Sequence, residues 1–160
     1  MRLILDTNEF VFGFDPHSGQ QHSIRLIEVV TRLVDTQDDF RLFIPEIIRA
    51  EVQRNLTEST LGLFYQFAKS SSKVIFGWLY EVPASFFDKY TLLGLKPADA
   101  LVAAFADWQH VDVLISENRH IYERLQVDEF ITCTAEEFLR LLDSGELERA
   151  LVDLHARRAP

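Results

Sequence analysis

Apolar residues recur along this chain in two alternating rhythms. Leu3-Ile4-Leu5, Arg41-Leu42-Phe43-Ile44, Val113-Leu114-Ile115 and Phe130-Ile131-Thr132 are short, nearly continuous apolar runs. Their length and continuity predict strands buried in a parallel sheet. Between the first two runs the spacing lengthens to three residues. Ile24, Ile27 and Val30, widened by Leu26, Val29 and Leu33, predict a crossover helix from Ser23 onward.

The remaining elements follow the same logic. Pro45 suits the start of a helix over 45–56 with Ile47, Ile48 and Val52 on one side. Thr57 is a candidate cap for a helix over 57–72, whose apolar face is Leu61, Phe64, Tyr65 and Ala68. The apolar and aromatic stretch 74–82 reads as a strand closed by Pro83, and 84–93 as a short helix stopped by Gly94. Residues 97–106 are apolar nearly all round, which predicts a helix buried closely against the sheet. Thr134-Ala135-Glu136-Glu137 resembles a capping box for a helix reaching Leu142. Leu147, Leu151 and Leu154 mark a last amphipathic helix over 144–155, and 157–160 is expected to fray. Glu9-Phe10-Val11-Phe12-Gly13-Phe14, followed by a loop over 15–20, carries aromatics that serve either the core or a partner surface. Alternating strands and helices make this an α/β sandwich with a mainly parallel sheet of about five strands. One domain is expected over 1–143, with 144–160 packed on it or extending from it.

Composition narrows the function. A chain of 160 residues, 48% hydrophobic and 26% charged, is of ordinary globular type. The single cysteine, Cys133, excludes an intrachain disulfide and argues against a thiolate zinc site. No apolar run is long enough to cross a membrane and Met1-Arg2 leads directly into the first strand, so a cytoplasmic protein is expected. The net charge of −9 argues against tight, nonspecific nucleic-acid binding. A nuclease that holds divalent cations in a carboxylate cluster remains compatible with it.

Two strands end alike. Leu3-Ile4-Leu5 runs into Asp6-Thr7-Asn8, and Val113-Leu114-Ile115 into Ser116-Glu117-Asn118. Each delivers a hydroxyl, an acid and an amide to a strand's carboxyl end, where open α/β sheets bind ligands. Asp6 either caps the next segment or takes part in chemistry. Glu51, three and four residues after Ile48 and Ile47, falls at the edge of its helix's apolar stripe and is either a solvated carboxylate or a cleft acid. Asp99 opens an otherwise apolar helix, where it either complements the dipole or faces a polar pocket. Arg119 and His120 either begin a surface helix or meet phosphate.

Leu5-Asp6-Thr7-Asn8, Glu51, Lys96-Pro97-Ala98-Asp99-Ala100-Leu101-Val102-Ala103-Ala104 and Ile115-Ser116-Glu117-Asn118-Arg119-His120 together resemble, in order and spacing, the PIN-domain family. The similarity, strongest to VapC-like toxins of toxin–antitoxin modules, extends over about 2–142. It implies a three-layer α/β/α fold and an endoribonuclease dependent on Mg²⁺ or Mn²⁺. Asp6, Glu51 and Asp99 fall on the family's first three acids. The family's Ser/Thr-x-Asp falls on Ser116-Glu117-Asn118, so Asn118 stands where an acid is expected and Glu117 takes the variable position. The resemblance implies Asp6, Glu51, Asp99 and Asn118 in catalysis and Asp6, Glu51, Asp99 and Glu117 around metal. Thr7, Asn8 and Ser116 would orient the carboxylates, and Arg119 would face the phosphate.

Hard cations prefer such oxygen donors, and a bound metal activates water without a histidine or lysine base. Whether Asn118 or Glu117 completes the site, and whether one metal binds or two, stays open. The implied partners are an RNA substrate, a small antitoxin protein and a second copy in a homodimer. The alternative is a catalytically weakened PIN domain that acts as a protein- or RNA-binding module. Sequence-specific RNA reading uses bases splayed onto aromatic platforms, and the sequence does not separate platform aromatics from core ones.

Overall fold

The computed structural model describes residues 1–122 and 125–159. Five strands, β1 (Arg2–Leu5), β2 (Arg41–Pro45), β3 (Val74–Gly77), β4 (Val113–Ile115) and β5 (Ile131–Cys133), form one sheet in the order β3-β2-β1-β4-β5. Every neighbouring pair is parallel. The connections are helical. Helices α1 (Thr7–Gly13) and α2 (Gln21–Thr36) join β1 to β2, and α3 (Glu46–Asn55) and α4 (Glu58–Ala68) join β2 to β3. A 3₁₀ turn (Leu79–Glu81), α5 (Ala84–Leu92) and α6 (Pro97–Trp108) lead back to β4. The short α7 (Arg119–Tyr122) lies between β4 and β5, and α8 (Ala135–Asp143) and α9 (Glu146–Arg158) end the chain.

Right-handed crossovers place α2 to α4 on one face of the sheet. They place α5 and α6 on the other, because the chain reverses its direction across the sheet after β3. Strands covered on both faces must be apolar throughout, and Leu3, Ile4, Leu5, Val113, Leu114 and Ile115 are all fully buried. Helix α6 lies close on the sheet through Ala100, Ala103, Ala104 and Ala106, with Phe105 against Phe43 at 6.0 Å between ring centroids. The arrangement is the three-layer α/β/α architecture expected. Among the described residues no helix is long and apolar enough to cross a membrane.

Several boundaries differ from the sequence reading. Residues 7–13 form α1, with Asp6 accepting a hydrogen bond from the Thr7 N–H at its start. Seven residues are too few to display a helical period, and apolar residues occur on every side of this one. Its close approach to α2 requires Gly13, where a Cβ would lie 2.3 Å from Ile27 Cγ1. The strand expected over 74–82 ends at Gly77. Gly77 pairs with Pro45, the last residue of β2, and proline has no N–H to extend the ladder. Residues 79–81 turn instead into 3₁₀ helix.

Helix α4 starts after its Thr57 cap and stops at Ala68, short of 72. Ser144 ends α8, Gly145 turns the chain at φ 71°, and α9 begins at Glu146. Arg157 and Arg158, expected to fray, are helical. Arg158 is held by Asp112 Oδ1 at 3.1 Å, by the Val111 carbonyl at 2.5 Å and by the Glu129 carbonyl. Pro160 lies outside the described residues.

Candidate active site

The strand order changes direction between β1 and β4, which is where a doubly wound sheet opens a crevice at the carboxyl ends of its strands. Asp6 leaves β1 there and Ser116 leaves β4. The Asp6 N–H donates to the Ile115 carbonyl at 2.9 Å, and Ser116 Oγ donates to Asp6 Oδ2 at 2.5 Å. Asp6 Oδ1 accepts the Thr7 N–H at 2.7 Å. Thr7 Oγ1 donates to Glu51 Oε2 at 2.6 Å, tying α1 to α3.

Opposite them stands Asp99, the third residue of α6, where the dipole of a helix start favours an acid. Its Oδ1 accepts the Asn118 side-chain N–H at 3.1 Å. Asn118 is itself fixed, because its backbone N–H donates to Ser116 Oγ at 3.0 Å and its Oδ1 accepts the His120 N–H at 3.0 Å. The amide therefore touches Asp99 as a donor. Glu117 is exposed at the rim, and its Oε1 accepts the Ala135 N–H that opens α8 at 3.0 Å.

Asp6, Thr7, Asn8, Glu51, Asn55, Asp99, Glu117, Asn118 and Arg119 line one cleft of about 500 Å³. Eight of the ten residues singled out in the sequence are thus brought together. Of the other two, Ser116 is fully buried beneath Asp6, and His120 lies outside the lining with its backbone N–H on Asn118 Oδ1. Asn55 joins them unforeseen. It lies four residues after Glu51, one turn along the same helix edge, and its side-chain N–H donates to the Glu51 carbonyl at 2.7 Å.

Glu9 is the second residue the sequence did not single out. It is fully buried one helical turn from Asp6. Its Oε2 accepts from Ser23 Oγ at 2.8 Å, and among the described residues Oε1 has no partner. Burial pushes its carboxyl up to about 7. The Ser23 hydroxyl works against this, and the nearby Glu117 and Asp6 add to it. An acid within an aromatic run was the available signal, but it acquires meaning only once α1 is seen as a helix.

The cleft is electrostatically unbalanced. Burial pushes the Asp6 carboxyl above its ordinary range, the Ser116 and Thr7 bonds hold it down, and Asp99 and Glu51 push it up again. Asp6 accepts from the Ser116 hydroxyl and the Thr7 N–H, Glu51 accepts from the Thr7 hydroxyl and Asp99 from the Asn118 amide, and Arg119 lines the same cleft. Carboxylate and amide oxygens around a cleft form a donor set suited to Mg²⁺ or Mn²⁺. The carboxylates share the cleft without closing on one point: among the described residues no group of three or more His, Cys, Asp or Glu side chains is drawn together tightly enough to hold an ion.

No protein-family model matches this chain, and no curated protein matches its sequence. Among solved structures it is similar to a chain of VapBC2 from Rickettsia felis bound to a DNA fragment from their promoter. The identity is 17% and the TM-score 0.57, over 84% of this chain and 98% of that one. The likeness shows the fold: a five-stranded, all-parallel α/β domain of PIN type.

Proposed function

We propose that this chain is a metal-dependent endoribonuclease of the PIN type and the toxin of a toxin–antitoxin pair. The observation that carries the reading is the convergence of Asp6, Glu51 and Asp99, from β1, α3 and α6, on one cleft at the sheet's switch point. Mg²⁺ or Mn²⁺, when bound, would supply an activated water at neutral pH and a polarised phosphate oxygen. Asp6, Glu51 and Asp99 would hold the ion. Ser116 and Thr7 set the rotamers of Asp6 and Glu51 through the hydroxyl bonds described, so the donors are oriented before any ligand arrives. Arg119 at the rim would meet the phosphate backbone. The likeness to a VapBC2 chain supports a small antitoxin as partner.

One observation favours a second reading. Asn118 occupies an oxygen of Asp99 with an N–H, and the carboxylates stand apart, as a weakened site that only binds RNA or protein would have them.

Cleavage of single-stranded RNA by the purified chain, freed of co-purified protein, separates the two readings. Cutting with Mg²⁺ or Mn²⁺, abolished by chelator and reduced at least about 100-fold in Asp99→Asn, is expected for the nuclease. Folded, partner-free protein that cuts with neither metal would favour the binding module.

A further inference from the structure

Most large aromatic residues of this chain are interior, but two adjacent ones are not. Trp78 is 42% exposed and Tyr80 78% exposed, with ring centroids 6.2 Å apart and planes inclined by 38°. The 3₁₀ turn over 79–81 presents both rings, while Leu79 between them packs against the core. Arg49 of α3 stacks on the Trp78 member of the pair, its Cζ 5.3 Å from that ring centroid and 5.4 Å from that of Phe76. A guanidinium stacked on ring faces keeps its charge available in a chain whose net charge is −9.

Position gives this patch a meaning. Trp78 is the first residue past the carboxyl end of β3, as Asp6 is for β1 and Ser116 for β4, so all three stand on one edge of the sheet. Helix α3 lies between them. Glu51 and Arg49 fall on opposite edges of its buried stripe of Ile48 and Val52, which separates cleft and patch by about one helix diameter, ~10 Å. Glu81, exposed in the same turn, opposes a phosphate track across the patch. Flat, uncharged faces are what this surface accepts.

We propose that Tyr80 and Trp78, the latter stacked on Arg49, form a stacking platform for unpaired bases of a single-stranded RNA whose backbone occupies the carboxylate cleft. The proposal rests on the nuclease reading and deepens it, by restricting the substrate to RNA that is unpaired next to the cut. Stacking on aromatic rings tolerates any base, so the platform selects strandedness rather than sequence.

The test measures binding of a single-stranded RNA of about ten nucleotides to protein whose carboxylate cleft is intact, with Ca²⁺ in place of Mg²⁺ so that the strand survives. Tyr80→Ala is expected to weaken binding roughly 5- to 100-fold, whereas Tyr80→Phe retains it. An abasic strand of equal length is expected to be indifferent to Tyr80→Ala. Because Tyr80 is largely exposed, this variant folds where Trp78→Ala, which removes the ring beneath Arg49, could perturb the turn.

Unchanged affinity in Tyr80→Ala, or equal losses for the normal and abasic strands, would overturn the platform. So would a Tyr80→Ala effect confined to sedimentation, which would assign the patch to a protein contact. Wild-type cleavage, measured separately, distinguishes the failures. Metal-dependent cutting with Tyr80 indifferent removes the platform alone, whereas wild type that neither cuts nor binds RNA removes both.

Discussion

Buried or half-buried acids stand at both ends of the central strands, and their partners differ. At the amino edge Asp112 is 4% exposed and fully compensated. Its Oδ2 accepts the Arg2 N–H at 2.7 Å, and its Oδ1 meets Arg158 at 3.1 Å and His155 at 2.8 Å. β1, β4 and α9 are locked together by cationic and backbone donors. At the carboxyl edge Asp6, Glu51 and Asp99 accept from hydroxyl, backbone and amide donors, and burial, with the charges of Asp99 and Glu51 added to it, pushes the Asp6 carboxyl up. An acid paired with a guanidinium, an imidazole and a backbone N–H belongs to the fold; several acids lining one cleft suit a cation supplied from outside.

Removing Asp112 leaves the Arg2 N–H without its acceptor and takes a charged hydrogen bond from Arg158. Asp112→Ala is therefore expected to cost about 3 kcal/mol in urea unfolding. A loss below about 1 kcal/mol would dissolve the contrast, because the amino edge would then not be a structural lock.

Glu9 sharpens the comparison from the other side, since it lies behind the cleft and is incompletely paired. Its folded carboxyl titrates near 7, above the ordinary 4.5 of an unfolded glutamate. The stability associated with the protonated form is therefore complete below pH 4.5 and is lost as pH rises through 7. Glu9→Gln is expected to flatten that decline and to be more stable than wild type at pH 8, by up to about 3 kcal/mol. Parallel stability curves for the two proteins between pH 4 and 8 would show that Glu9 carries no such penalty.

The smallest effect belongs to a pair that is neither structural nor catalytic. Arg25 and Asp143, 2.7 Å apart and more than half exposed, link α2 to α8 across the surface. Arg25→Ala is expected to change stability by less than about 1 kcal/mol. A larger cost would mean that exposure is a poor guide to which ion pairs in this chain are structural.

The carboxyl edge was legible in the sequence because a parallel strand is one apolar run, and the residue that ends it is where the backbone leaves the sheet. Leu5 to Asp6 and Ile115 to Ser116 mark those points directly. Helix α1 was not legible, and Glu9 was hidden with it. Seven residues with apolar positions on every side show no period, so an acid among phenylalanines had no face to be assigned to. The amino-edge lock was invisible for another reason. His155 and Arg158 lie more than 40 residues from Asp112 along the chain, and local pattern carries no trace of such a contact. Trp78 was assigned to a strand because aromatic residues favour strands, whereas the proline that ends β2 stops the ladder one residue earlier.

Calorimetric titration of Mn²⁺ into the purified chain, beside Asp6→Asn and Asp99→Asn, tests the central claim most directly. The account predicts saturable binding by wild type that raises its melting temperature, and loss of that binding in both folded variants. Absence of binding by wild type, or binding that neither substitution alters, would contradict it.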